Sequence, residues 1–193
     1  MRKLIAIVIV ALLGACSGQA TRLANGPRFD FGPAAGAVGT AGAAGVAMGI
    51  AAVEVNAPTW LGDGAMQYRL LYAEPAQRRE YAENRWVARP GELLEQSLAR
   101  RLAAPAVGRC RLRVELDEFI QVFDSAASSR LLVSGRAILY VGVEASAGRS
   151  FALDRPAPSA DAKGGVAAAS AAVAALGDEL AQWVSQSGKC RSE

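Results

Sequence analysis

Histidine is absent from this chain of 193 residues, and cysteine occurs three times, as Cys16, Cys110 and Cys190. Without histidine the commonest general base, proton shuttle and metal ligand are all missing. Lysine is scarce too, with only Lys163 and Lys189 beyond Lys3. Ser–His chemistry is excluded, and Ser–Lys chemistry has little to draw on. An excess of one charge is also lacking, since 21 basic residues face 18 acidic ones. Loss of a leader containing Arg2 and Lys3 lowers the basic count from 21 to 19. A chain this close to neutral carries no electrostatic footprint for nucleic acid. The last catalytic option is a carboxylate pair, Glu115 with Asp117. Two carboxylates two apart on one strand face do not flank a substrate as glycoside hydrolysis requires. A solvated face paired with Arg111 and Arg113 is the simpler reading. The sequence thus predicts no enzyme, no catalytic residue, no metal site and no cofactor.

What is present begins at the N-terminus. Arg2 and Lys3 precede an unbroken apolar run from Leu4 to Leu13, and Leu13-Gly14-Ala15-Cys16 closes it with small residues before a cysteine. This is the layout of a secretory signal peptide, 1–15, ending in a bacterial lipobox with Cys16 as the lipid attachment site. A transmembrane helix is the first alternative, but the run is about half of the ~20 apolar residues that span a bilayer. A cleaved signal without lipid is the second. A diacylglyceryl thioether with a further amide-linked chain such as palmitate anchors stably, at about 0.8 kcal/mol per buried methylene. Ser17, where an aspartate would favour retention at the inner membrane, points to the outer membrane and its periplasmic face. Residues 16–27 then form a tether, which at full extension reaches at most ~40 Å.

Past the tether, 28–187 read as one domain and 188–193 as a tail. Arg28–Phe31 alternates like a short strand, and 32–49 is so rich in glycine and alanine that it reads as a mobile loop. Ile50–Val55 and Met66–Tyr72 are strands, separated by a turn at Trp60–Gly64. The charged stretch from Glu74 to Arg89, around Tyr81 and Trp86, predicts no element. Pro90 opens a helix in which Leu93, Leu94, Leu98 and Leu102 share one face. Leu112, Val114 and Leu116 alternate with Arg111, Arg113, Glu115 and Asp117, and the parity slips around Phe119, as a bulge would make it. After turn residues at Asp124–Ser129, the positions Leu131, Val133, Ala137, Leu139, Val141 and Val143 share one face of a second long strand. An Ala147-Gly148 turn leads to a third at Ser150–Leu153. Asp161 is placed to cap a final helix carrying Val166, Ala169, Val173, Leu176, Leu180 and Trp183. In an oxidising periplasm Cys110 and Cys190 read most simply as a disulfide, the alternative being two buried thiols.

Several segments carry a family likeness. APTWLGDGAMQYRLLYAEP, Arg85-Trp86, CRLRVELDEFIQVFD and RPAPSAD before an alanine-rich helix together resemble the ABC-type transport auxiliary lipoproteins, the PqiC-like family. The likeness runs from about Phe29 to Trp183. It implies a mixed, largely antiparallel sheet with two main amphipathic helices packed on it, similar to the N-terminal domain of TolB. It also implies partnership with an MCE-domain protein and an ABC permease and ATPase, moving lipid between the inner and outer membranes. A homo-oligomer is compatible with it, though no feature counts subunits. Candidate partner contacts are Trp60, Tyr81, Arg85 and Trp86, the alternative being that these aromatics cover one end of the core. The Gly/Ala loop at 32–49 departs from the family pattern. A lipid- or lipoprotein-binding carrier and a structural envelope lipoprotein are the competing functions.

The anchor generates the first prediction. Cys16→Ser should shift the protein from the membrane fraction to the soluble periplasm and abolish its transport phenotype. A variant that stays membrane-bound and functional would refute the anchor.

Overall fold

The computed structural model describes residues 26–33, 49–103 and 108–190. The predicted signal peptide, Cys16, most of the tether, most of the 32–49 loop and residues 191–193 lie outside the described residues. The strands are β1 (Arg28–Phe29), β2 (Ile50–Asn56), β3 (Ala65–Leu70), β4 (Glu74–Trp86), β5 (Cys110–Ser125), β6 (Ser128–Val141) and β7 (Glu144–Pro156). The helices are α1 (Pro90–Leu102) and α2 (Ala162–Ser187). One mixed sheet runs β1-β4-β3-β5-β6-β7, and β2 joins it by pairing with β5. The long meander β5-β6-β7 and the β3-β4 hairpin are antiparallel, whereas β1-β4, β2-β5 and β3-β5 are parallel.

Strand β5 organises this arrangement because both of its edges are used. Along one edge β6 pairs with it from Cys110 to Ser125. Along the other, β2 pairs with it up to Glu115 and β3 only from Gln121 to Phe123. The ladder slips between Leu116 and Glu118, which is the predicted bulge. Side chains alternate faces along a strand, so one inserted residue exchanges the buried and exposed sets. Cys110, Leu112, Val114 and Leu116 are buried before the slip, and Phe119, Gln121 and Phe123 continue that face after it.

Both helices cover this face. α1 turns Leu93, Leu94, Leu98 and Leu102 into the core, and the Glu92 carboxylate accepts from the Arg89 N–H at its start. α2 buries Ala168, Ala169, Ala172, Val173, Leu176, Leu180 and Val184. Its small residues let the axis lie close to β6 and β7, the strands it contacts. Arg101 and Asp178 tie the helices together, and Arg149 of β7 pairs with Glu179. Cys110 and Cys190 form a disulfide with Cα atoms 5.6 Å apart. It fastens the segment after α2 to the start of β5. Closing a loop between residues 80 apart contributes on the order of 4 kcal/mol in the chain-entropy account.

Three sequence expectations are corrected. Glu74–Trp86 is a strand, not an irregular stretch. It lies beside β3 with much of its length solvated, so no apolar alternation marks it. The expected Ala147-Gly148 turn lies inside β7, and the reversal occurs at Gly142-Val143, where Gly142 has φ +63°. Gly148 serves instead as floor for the Arg136 guanidinium, 3.4 Å from where a Cβ would stand. Val143 does not join the buried face; it is 90% exposed in that turn.

A polar clamp joins the start of α2 to the sheet. Gln121 is buried, and its amide donates to the Ser129 hydroxyl and the Asp161 carbonyl while its Oε1 accepts from the Tyr81 hydroxyl. All its partners are protein groups, so its burial carries no unmet polar cost. Gly165 permits this, since a Cβ there would stand 2.1 Å from Gln121 Oε1. Gly165→Ala should therefore destabilise the domain by about 1–3 kcal/mol. Urea unfolding should show a lower midpoint at unchanged slope.

The predicted cap of α2 is present: Asp161 Oδ1 accepts from the Gly164 N–H at 2.7 Å and from the Ser159 hydroxyl at 2.8 Å. These bonds, the Gly164 amide first, hold the carboxyl below its ordinary value of 3.8. A carboxylate lowered in the folded state stabilises at pH above its unfolded pKa, and that contribution is lost as pH falls through the folded pKa. Asp161→Asn keeps a capping acceptor but does not titrate. Acid unfolding curves of the two proteins should differ above about pH 4 and draw together as pH falls through the lowered value of the Asp161 carboxyl.

Candidate docking surface

The sheet face away from the helices carries many charged side chains, several of them paired within it, alongside the buried Ile120 and Val122. The parallel β2–β5 register places Glu54 beside Arg113. Its carboxylate pairs with Arg111 at 3.5 Å and Arg113 at 3.4 Å. Both guanidinium groups lie 5.2 Å from the centre of the Tyr140 ring on β6, a cation–π distance. Farther along, Arg78 and Arg69 converge on Glu118 at 2.7 and 3.8 Å. Arg130 is held by Asp124 and Asp154. The expectation that Arg111 and Arg113 pair with Glu115 and Asp117 is corrected. Glu54 takes both arginines, because the neighbouring parallel strand brings it alongside.

Glu115 and Asp117 are thereby left without an ion pair among the described residues. Glu115 accepts only from the Asn56 amide, at 3.0 Å. Beside them the β2–β3 connection makes a 3-10 turn, Thr59–Leu61, in which Leu61 plugs the core and Trp60 remains 53% exposed. The turn is braced from the sheet. Gln67 donates to the Trp60 carbonyl at 2.7 Å, Arg78 donates to Gln67, and Arg78 also reaches Glu118. An open groove of about 380 Å³ results, with Asn56, Pro58 and Trp60 on one side and Glu115 and Asp117 on the other. An exposed tryptophan lining the same groove as two carboxylates without an ion pair is chemistry that can attract a guanidinium or ammonium group.

The four predicted contact residues do not share a patch. Only Trp60 is presented to solvent as a large apolar surface. Trp86 is 5% exposed and packs edge-on against Phe31 and Phe119. Tyr81 is half-buried, its ring 4.8 Å from Tyr68 and its hydroxyl on Gln121; burial, then the charge of Asp161, raises its pKa far above the ordinary phenol value. Arg85 pairs with Asp63 at 3.6 Å. The β3–β4 ladder shifts register between Ala65 and Gln67, which lets β4 turn both Tyr81 and Trp86 inward. Cys16 lies outside the described residues. Reasoning from sequence missed the grouping of Trp60 with Glu115 and Asp117, although each was singled out. The parity slip after Leu116 was the available signal.

A small space bordered by Met66, Trp86, Phe119, Leu131 and Gly165 is about 10 Å³, scarcely one water. A second open concavity of about 300 Å³ lies by Asp30, Phe31, Val87 and Arg100. Neither is an enclosed acyl chamber.

A profile of the ABC-type transport auxiliary lipoprotein component family matches residues 30–181. This chain belongs to that family. As a family member it is an auxiliary transport component of the cell envelope, associated with membranes, and not of a known enzyme class. Its fold is similar to that of XCC0632 of Xanthomonas campestris, a DUF330 protein, at 19% identity and TM-score 0.62, over 70% of this chain and 83% of that one. A second solved structure, of an uncharacterized protein, is similar at 17% identity and TM-score 0.57, over 68% of this chain and 88% of that one. At these identities the likeness concerns the fold. No curated protein matches the chain.

Proposed function

We propose that this family member is a docking module, lipid-anchored through Cys16 at the periplasmic face of the outer membrane. There it stabilises an MCE-type ABC transport system carrying lipid between the two membranes. The anchor reading rests on the Leu13–Cys16 lipobox, and the transport role on family membership. The observation that carries the docking role is the braced groove at Trp60. It combines the one exposed tryptophan, 53% accessible, with carboxylates that no residue of the described chain neutralises. Such a site favours a basic side chain from a partner such as the MCE-domain protein. The carrier reading draws no support from the concavities described, which are either open or about the size of one water.

Trp60 should behave as an interface hot spot, so Trp60→Ala should weaken partner binding by ~30-fold or more. Its half-exposed ring predicts little change in melting temperature. Photo-crosslinking in native membranes from position 57, where exposed Ala57 lines the groove without contributing to its charge, is the direct measurement. An adduct with an MCE-domain or permease subunit, lost in Trp60→Ala, is the expected result. Adducts indifferent to Trp60, or containing no transport subunit, would overturn the reading.

A further inference from the structure

β7 ends the sheet, and among the described residues only β6 pairs with it. The other edges are guarded. The outer edge of β2 is closed by a bridge between Ile50 and Ala103 and by the Glu95 carboxylate, which accepts from the Val55 N–H at 2.8 Å. Beyond the two residues of β1, the edge of β4 carries Pro75 and the charged run Arg78-Arg79-Glu80, features that blunt an edge. β7 has no such guard along its middle. From Ala147 to Leu153 its one charged side chain is Arg149, which is drawn aside to Glu179 on α2.

The ladder fixes which backbone groups of β7 are free. The Ala157 N–H donates to the Ser129 carbonyl at 2.9 Å, and this pair continues the register in which Arg130 faces Pro156. Bonded and unbonded pairs alternate along an antiparallel ladder, so Ala147, Arg149, Phe151, Leu153 and Arg155 bond inward to β6. The N–H and C=O groups of Gly148, Ser150, Ala152 and Asp154 point away from it, and all four residues are exposed. A row of donors and acceptors repeating every ~6.8 Å is matched by another extended strand.

β7 is complementary to itself. Ser150 is the midpoint of Glu144–Pro156 and one of the residues with outward groups. Let a second copy be turned about a two-fold axis through Ser150, perpendicular to the sheet. Ser150 then faces Ser150 of the second copy, Gly148 faces Ala152 on both sides of the axis, and about six backbone hydrogen bonds form. Arg149 faces Phe151, Ala147 faces Leu153, and the Glu144 end of each strand lies beside the Arg155 end of the other. No like charges are opposed in this register. The helices permit the approach. α2 lies over β6 and β7, so with strands ~4.8 Å apart the two α2 helices come about 10 Å from one another, an ordinary packing distance. Glu179 marks the side of α2 turned to this edge, and Ala175 and Ala171, at successive four-residue steps before it, add no bulk there.

We propose that β7 is an interface between two copies of this chain, joined edge to edge about Ser150 into one continuous sheet. Such a pair turns both sets of helices to one side and both Trp60 grooves to the other, offering a partner two sites at once. The pairing stands or falls independently of what the groove binds.

The test is cross-linking of the full-length protein in its own membranes. Ser150→Cys, treated with a short bis-maleimide, should yield a dimer of two copies, because its thiols meet at the axis. Val143→Cys, in an exposed turn, should yield none, because in this register the two thiols lie on the order of 45 Å apart. Ala152→Pro removes an outward N–H without taking a bond from β6. Added to Ser150→Cys, it should lower the dimer yield ~5-fold or more with the domain still folded by circular dichroism. Ser150→Lys sets like charges opposite each other and should lower the dimer fraction in sedimentation of the detergent-solubilised protein, a readout that stands even if the proline unfolds the domain. A monomer that gives no dimer from 150, a dimer indifferent to both substitutions, or a product joining position 150 to a different polypeptide overturns the inference.

Discussion

The slip of one residue between Leu116 and Glu118 is the constraint on which the rest of this fold depends. Without it, a strand of 16 residues alternating as its first seven do would turn Phe119, Gln121 and Phe123 to the polar face and Glu118 into the core. With it, Phe119 joins the core cluster, Phe123 is buried on the same face and Gln121 reaches its polar clamp, while Ile120 and Val122 are buried outside that cluster. The change of pairing on its second edge falls at the same place. β2 leaves after Glu115 and β3 arrives at Gln121, and the connection carrying Trp60 passes beside the gap. The groove is thus a consequence of the bulge. Its carboxylates come from the irregular stretch, and its indole from the link between the two strands that the irregularity separates.

What the sequence made legible follows from how locally each feature is encoded. α1 was readable in its entirety because Pro90 and four leucines at helical spacing all act within thirteen residues. The Asp161 cap and the bulge near Phe119 were readable for the same reason. β4 was not, because a partly solvated strand is stabilised by β3, and no alternation marks it along its own length. The reversal at Gly142 was misplaced because Ala147-Gly148 has equally good turn chemistry, and the choice was settled by β6 pairing with β7 as far as Val141 and Glu144. The candidate site was the least legible. Trp60 and Trp86 look alike as sequence, and the register of β3 on β4 decides that one is exposed and the other buried.

The outer face shows how such a plate avoids indiscriminate association. Its arginines at 69, 78, 111, 113 and 130 each have a carboxylate within the domain, so a partner placed there would have to displace pairs already made. Surface pairs contribute little to stability. They do make a poor landing site, because stripping their water returns nothing that the partner does not have to replace. Glu115 and Asp117 differ in having no such pair, and their indole neighbour has no polar demand on its ring. Selectivity in this reading comes from pairing these five arginines within the domain while Glu115 and Asp117 stay without an ion pair.

A docking groove on one face works only when it keeps its shape as the partner arrives. That condition is met within the sheet: Gln67 of β3 donates to the Trp60 carbonyl and Arg78 of β4 donates to Gln67, while Leu61 of the same turn is buried in the core. Little conformational freedom is then lost at the groove when a partner engages it, and such ordering is a main cost of association. In the proposed docking role, affinity therefore depends on the bracing of the Trp60 turn as much as on the charges beside it.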